Sequence, residues 1–178
     1  MTSMRRRHLF AVVALLCCSK QAARSPAPAD APPAGTIDSV VLERTRCFGT
    51  CPAYRLRVSR TGEVVFVSRY PGDPSTAVDT VEKWVADSIA RDASRLGFFT
   101  LPDSVTPGKL LCAEMATDLP TITIGVFGSR TKQVIYYLGC VRPRDSVLAE
   151  KLRNLPDLAA RIDTLTRAER WIRPIRRP

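Results

Sequence analysis

Histidine is almost missing from this chain of 178 residues: the only one is His8, within the first ten positions. The rest of the chain therefore lacks Ser-His-Asp and Cys-His nucleophilic systems and every histidine-based metal site. Glycine is sparse, with nine residues, and no phosphate-cradling loop is present. Gly125-Val126-Phe127-Gly128 ends a strand-like segment with no helical segment behind it. Long apolar runs are lacking too. Residues 9–16 would span only about 12 Å as a helix, against roughly 30 Å of bilayer core. No later segment is apolar enough to cross a membrane, and no internal repeat is visible.

The amino-terminal region carries a clear pattern. Arg5, Arg6, Arg7 and His8 precede the short apolar run, as in a leader for export. Leu15-Leu16-Cys17-Cys18-Ser19 resembles a bacterial lipobox, in which cleavage leaves a lipidated Cys behind a small residue. Cys18 fits better than Cys17, because bulky Leu16 would precede the latter. The expectation is a lipoprotein-type signal peptide over residues 1–17 and a lipid anchor on Cys18. The alternatives are a secreted or periplasmic soluble protein and an uncleaved anchor. Residues 18–37 read as a tether, since SPAPADAPPAG favours extended polyproline-like backbone. The expected location is the cell envelope, on a membrane facing the periplasm or the exterior.

The formal charge of +10 overstates the basicity of the body. Without Arg5, Arg6 and Arg7 it is +7, and residues 167–178, with five arginines and one glutamate, hold +4 of that. Basicity therefore belongs to the tail. Arg167, Arg170, Arg173, Arg176 and Arg177 are suited to anionic headgroups, and nucleic acid is not an expected partner.

Residues 38–172 read as one domain, with residues 173–178 as a basic tail. Residues 38–46 form a first strand. Residues 53–59 alternate, Tyr54, Leu56 and Val58 against Arg55, Arg57 and Ser59, as a half-buried strand does. Thr61-Gly62 turns the chain into a partner strand at 63–68. Residues 69–78 read as a polar loop, and a helix follows, N-capped by Asp79 with Glu82 completing a capping box. Val81, Trp84, Val85, Ile89, Ala93 and Leu96 make its apolar stripe. Residues 101–119 look irregular. Residues 121–127 and 132–138 form a second hairpin. Residues 145–154 and 157–166 are helical, with Pro156 expected to kink or split them. The class is α+β: an antiparallel sheet of about five strands in the order β-β-β-α-β-β-α, with helices packed on one face.

Several phrases then stand in a recognisable order: RTRCFGTCPAY at 44–54, GFFTLPD at 97–103, TDLP at 117–120, QVIYYLGC at 133–140 and ERWI at 169–172. Together they resemble the bacterial family known as domain of unknown function 6438, over approximately residues 38–172. The resemblance implies a small exported or lipoprotein-like protein. That family has no established activity, so no reaction follows from it.

Cys47, Cys51, Cys112 and Cys140 remain in the domain. In an oxidising compartment an even count reads as two disulfides, with three connectivities open. Cys47–Cys51 and Cys112–Cys140 is the favoured set, the first closing a tight loop at Phe48-Gly49-Thr50. The sharper alternative is thiol–disulfide exchange at Cys47 and Cys51, helped by Arg44 and Arg46. Against it, the spacing is one residue longer than Cys-x-x-Cys, and Pro52 leads into a strand.

Asp118, beside Thr117, is the polar candidate for a ligand site, and bracing the entry to a strand is its plainer role. A carboxylate pair with Glu114 or Asp103 could do acid–base work. Arg55 and Arg57, with Arg60, could line a sheet face for an anionic polymer or an envelope protein; a solvated face is the plainer account. Tyr54, Tyr136 and Tyr137 read as packing residues. No cofactor, metal or catalytic residue is expected. The functional expectation is a lipid-anchored envelope protein with a non-catalytic binding or structural domain, the alternatives being an exchange protein at Cys47 and Cys51 or a carboxylate-dependent enzyme at Asp118.

Overall fold

The structure is a computed structural model that describes residues 36–70, 75–107 and 111–172. The leader, Cys18, the tether up to residue 35 and the tail from residue 173 lie outside the described residues.

Among the described residues nine strands and two α-helices form. They are β1 (Ile37–Arg44), β2 (Tyr54–Ser59), β3 (Glu63–Ser68), β4 (Thr76–Thr80), α1 (Trp84–Arg95), β5 (Ser104–Val105), β6 (Cys112–Met115), β7 (Thr121–Gly128), β8 (Lys132–Tyr137), β9 (Cys140–Pro143) and α2 (Ser146–Thr166). Seven strands make one sheet in the order β4-β3-β2-β1-β7-β8-β5, and β6 pairs with β9 separately. Every pairing is antiparallel except β5 with β8. The first strand is thus the central one, with Leu42 between Leu56 of β2 and Ile124 of β7.

Period-two alternation puts one residue set on a single buried face: Val40 and Leu42, Tyr54, Leu56 and Val58, Val64 and Phe66, Ile122, Ile124 and Val126. Both helices lie on that face. α1 contributes Val85, Ile89 and Ala93, and α2 contributes Leu152, Leu155, Leu158 and Ile162. Each fully buried Leu, Ile or Val adds about 1.5–3 kcal/mol relative to exposure.

Four local expectations are corrected. The sheet has seven strands rather than about five, plus the two-stranded β6–β9 pair. Part of the expected polar loop is β4, where Asp79 pairs across from Val64 and binds Arg170. Asp79 is therefore no helix cap; α1 starts behind Lys83, which makes no side-chain cap bond. The region expected to be irregular supplies β5 and β6, short strands whose partners are distant in sequence. Finally, α2 runs unbroken through Pro156. Proline removes one backbone bond, and the apolar stripe from Leu152 to Ile162 outweighs that loss. The Asp145 carboxylate caps α2 by accepting the Leu148 N–H, 2.6 Å.

Candidate functional site

The end of the sheet where β1 finishes and β7 begins gathers the most distinctive residues. Two disulfides form, Cys47–Cys51 and Cys112–Cys140, with Cα separations of 5.6 and 5.8 Å. The first clasps the loop between β1 and β2, the second ties β6 to β9. Backbone bonds then fasten the clasped loop to the segment before β7. Phe48 N–H donates to the Asp118 carbonyl at 3.0 Å and Thr45 N–H to the Thr121 carbonyl at 3.0 Å. Thr121 N–H donates back to the Thr45 hydroxyl at 2.8 Å. The CFGTCP and TDLP phrases, far apart in sequence, are thus neighbours in space.

Asp118 holds a left-handed backbone conformation, φ 65°, which Asp tolerates better than most residues. The conformation turns its carbonyl to Phe48, while its exposed carboxylate accepts the Thr117 hydroxyl, 3.1 Å. Behind it, the Tyr137 hydroxyl donates to the Ala116 carbonyl at 2.9 Å. Phe48 is 90% exposed and Leu119 42%. The result is an apolar knob on a crosslinked loop, with Thr117, Asp118 and Leu119 at its foot.

The other acids raised by the sequence bind elsewhere. Glu114 pairs with Arg142 at 3.7 Å, and Asp103 with Lys132. Arg55 and Arg57 lie on the sheet face opposite the helices, each beside a carboxylate: Arg55–Glu43 at 2.9 Å and Arg57–Glu63 at 4.0 Å. An anionic polymer on that face would compete with Glu43 and Glu63. Arg60 is exposed at the far end of β2. Pro52 leads into β2, so the chain does not pass from Cys51 into a helix. A hollow of about 280 Å³ lies between the end of α1 and the start of α2, lined in part by Arg95, Val147, Glu150 and Lys151; it is slightly below the usual size of small-molecule sites. Among the described residues no three metal-ligating side chains come together, and no helix is long and apolar enough to cross a membrane.

One constellation went unread in the sequence. Arg44, at the end of β1, stands opposite Tyr54 of β2. Its Nε donates to the Tyr54 hydroxyl at 2.8 Å and its Nη2 to Asp163 Oδ2 at 2.8 Å. The Tyr54 hydroxyl donates to Asp163 Oδ1, closing a three-membered ring of bonds under the clasped loop. Burial, reinforced by the Asp163 charge, pushes the Tyr54 phenol far above its ordinary range. Burial likewise pushes the Asp163 carboxyl up, against the opposing pull of Arg44. Burial works to lower Arg44, but Tyr54 and Asp163 together raise it. The ring is largely buried: Tyr54 and Asp163 are buried and Arg44 is half-buried. A signal existed: Asp163 falls within the apolar stripe of α2, four residues after Ala159 and beside Ile162.

Residues 38–159 match the family described as Domain of unknown function (DUF6438), and the chain belongs to it. No curated protein matches the chain.

Proposed function

We propose that this DUF6438 member is an exported envelope protein, held to a membrane by lipid on Cys18, whose folded part is a non-catalytic binding domain. Phe48 at the tip of the Cys47–Cys51 clasp is the observation that carries the reading. A large aromatic ring in water gains free energy on burial, and a crosslinked loop has little conformational freedom left to lose on binding. Phe48 with Leu119 forms the apolar centre of the contact, and Thr117 and Asp118 form its polar rim. An envelope protein suits an apolar knob better than an anionic polymer does, because Arg55 and Arg57 already face carboxylates. Paired cysteines suit an oxidising compartment, and the leader, lipobox-like Cys18 and tether pattern support export.

A photo-crosslinking side chain placed at position 48 in the native envelope tests the proposal. It should capture a discrete partner that the same side chain at exposed Val78 does not. Mass spectrometry of the amino-terminal peptide should find an acyl chain on Cys18. Equal labelling from both positions would remove the binding site, and a free thiol at Cys18 in a full-length cytosolic chain would remove the envelope assignment.

A further inference from the structure

The end of the domain opposite Phe48 is where the tether joins. Thr36, the first described residue, accepts the Ser129 N–H of the β7–β8 turn at 3.1 Å. At the same end Arg60 N–H donates to the Asp38 carbonyl at 2.9 Å, and Val81 N–H donates to the Gly62 carbonyl at 2.8 Å. α1 begins three residues later at Trp84. Beyond its last turn Phe99 lies under the Arg130 guanidinium of the β7–β8 turn, 4.4 Å from the ring centre. Both ends of α1 are therefore fastened to the tether-bearing end of the sheet. Trp84 is 52% exposed, and Arg60, Lys83, Arg91 and Arg130 are exposed on the segments at this end. Asp38 and Glu82, exposed, and Asp87, half-buried, nearly balance those charges.

We propose that this end of the domain rests on the lipid surface to which Cys18 is attached, with Trp84 as its apolar anchor; the inference depends on the lipid-anchored reading above. Thr36 lies 18 positions beyond Cys18, and a chain of that length reaches at most about 60 Å. A surface so close acts at high effective concentration, so a weak contact suffices. Indole suits the bilayer interface, with its ring among acyl carbons and its N–H among headgroups. The near balance of charge leaves Trp84 as the dominant contact of this end, so insertion of its ring depends little on anionic lipid, whatever the tail arginines add to binding. With this end on the membrane, the eight residues of β1 carry Phe48 roughly 25 Å further out.

The chain has two tryptophans, and Trp171 packs at a tilt against Phe66 with 5.4 Å between ring centres. In full-length acylated W171F, Trp84 is the sole indole. Reconstituted into vesicles of phosphatidylcholine with brominated acyl chains, its emission should shift to the blue and be quenched, with little change when phosphatidylglycerol is added. The W84F chain, reporting Trp171 alone, should show neither effect. A chain that floats with the vesicles and carries the acyl group, yet leaves Trp84 unquenched, overturns the orientation and spares the anchor. Absence of the acyl group overturns both, and quenching that appears only with anionic lipid overturns the role given to Trp84.

Discussion

The Tyr54 hydroxyl on β2 donates to the Asp163 carboxylate on α2, 109 positions along the chain. Arg44 completes the ring by bonding both partners. One central strand, its neighbour and the last long helix are thereby joined through polar groups beneath the clasped loop. The three side chains satisfy one another within a largely apolar setting, where an unpaired member would be left desolvated.

Removing the acid should therefore do more harm than removing the hydroxyl. Asp163→Ala leaves the Arg44 charge without its carboxylate and should lower the free energy of unfolding by about 3 kcal/mol. Tyr54→Phe keeps the ring stacked on Phe66 and should lower it by about 1 kcal/mol. Urea unfolding followed by circular dichroism separates the two values. Equal losses would mean that the hydroxyl, not the charge pair, dominates.

Alkaline titration should expose the same ring. Burial, with the Asp163 charge, holds the Tyr54 phenol above its ordinary value, and burial does the same to Tyr136. A folded-state pKa above the unfolded one means that the stabilisation is fully present below about pH 10. It is lost as pH rises from there through the folded values, because the unfolded chain releases those protons first. Of the four tyrosines, the native protein should therefore ionise fewer than four as pH passes about 10–11. The rest should appear together with unfolding. Absorbance at a phenolate wavelength recorded beside circular dichroism checks this, and full ionisation with the fold intact would contradict it.

The two disulfides should differ in weight. In the chain-entropy view, the Cys47–Cys51 closure adds about 2 kcal/mol and the longer Cys112–Cys140 closure about 3.5 kcal/mol. Replacing Cys112 and Cys140 together by alanine should thus lower the melting temperature more than replacing Cys47 and Cys51. The second replacement should instead weaken partner capture at Phe48. Calorimetry of both double variants reads the difference.

Gly62 should resist substitution. Its φ is 88°, and an added Cβ would run into the Val81 carbonyl, which is kept close by the bond from the Val81 N–H to the Gly62 carbonyl at 2.8 Å. Gly62→Ala should cost about 3 kcal/mol. Phe48→Ala, on the open loop, should stay within about 0.5 kcal/mol of the parent. Chemical unfolding of the two variants side by side measures the contrast.

Local pattern was enough to read much of this protein. Alternation at Tyr54, Leu56 and Val58 and at Ile122, Ile124 and Val126 names strands and their buried face, because side chains along a strand point to opposite sides in turn. Asp145 marks the start of α2, and the spacing Leu158, Ile162, Leu165 marks one of its sides, for equally local reasons. The family could be read from the CFGTCP and TDLP phrases. What lay beyond reach were relations between distant segments. β4, β5, β6 and β9 are short and weakly alternating, and they are strands only because a partner stands beside them. Pro156 stays inside α2 because the sheet holds both halves of the helix. The neighbourhood of Phe48 and Asp118, and the ring of Arg44, Tyr54 and Asp163, depend on strand order and helix placement. Hydrogen bonds reach only about 3 Å, so such partners become visible only after the chain has folded.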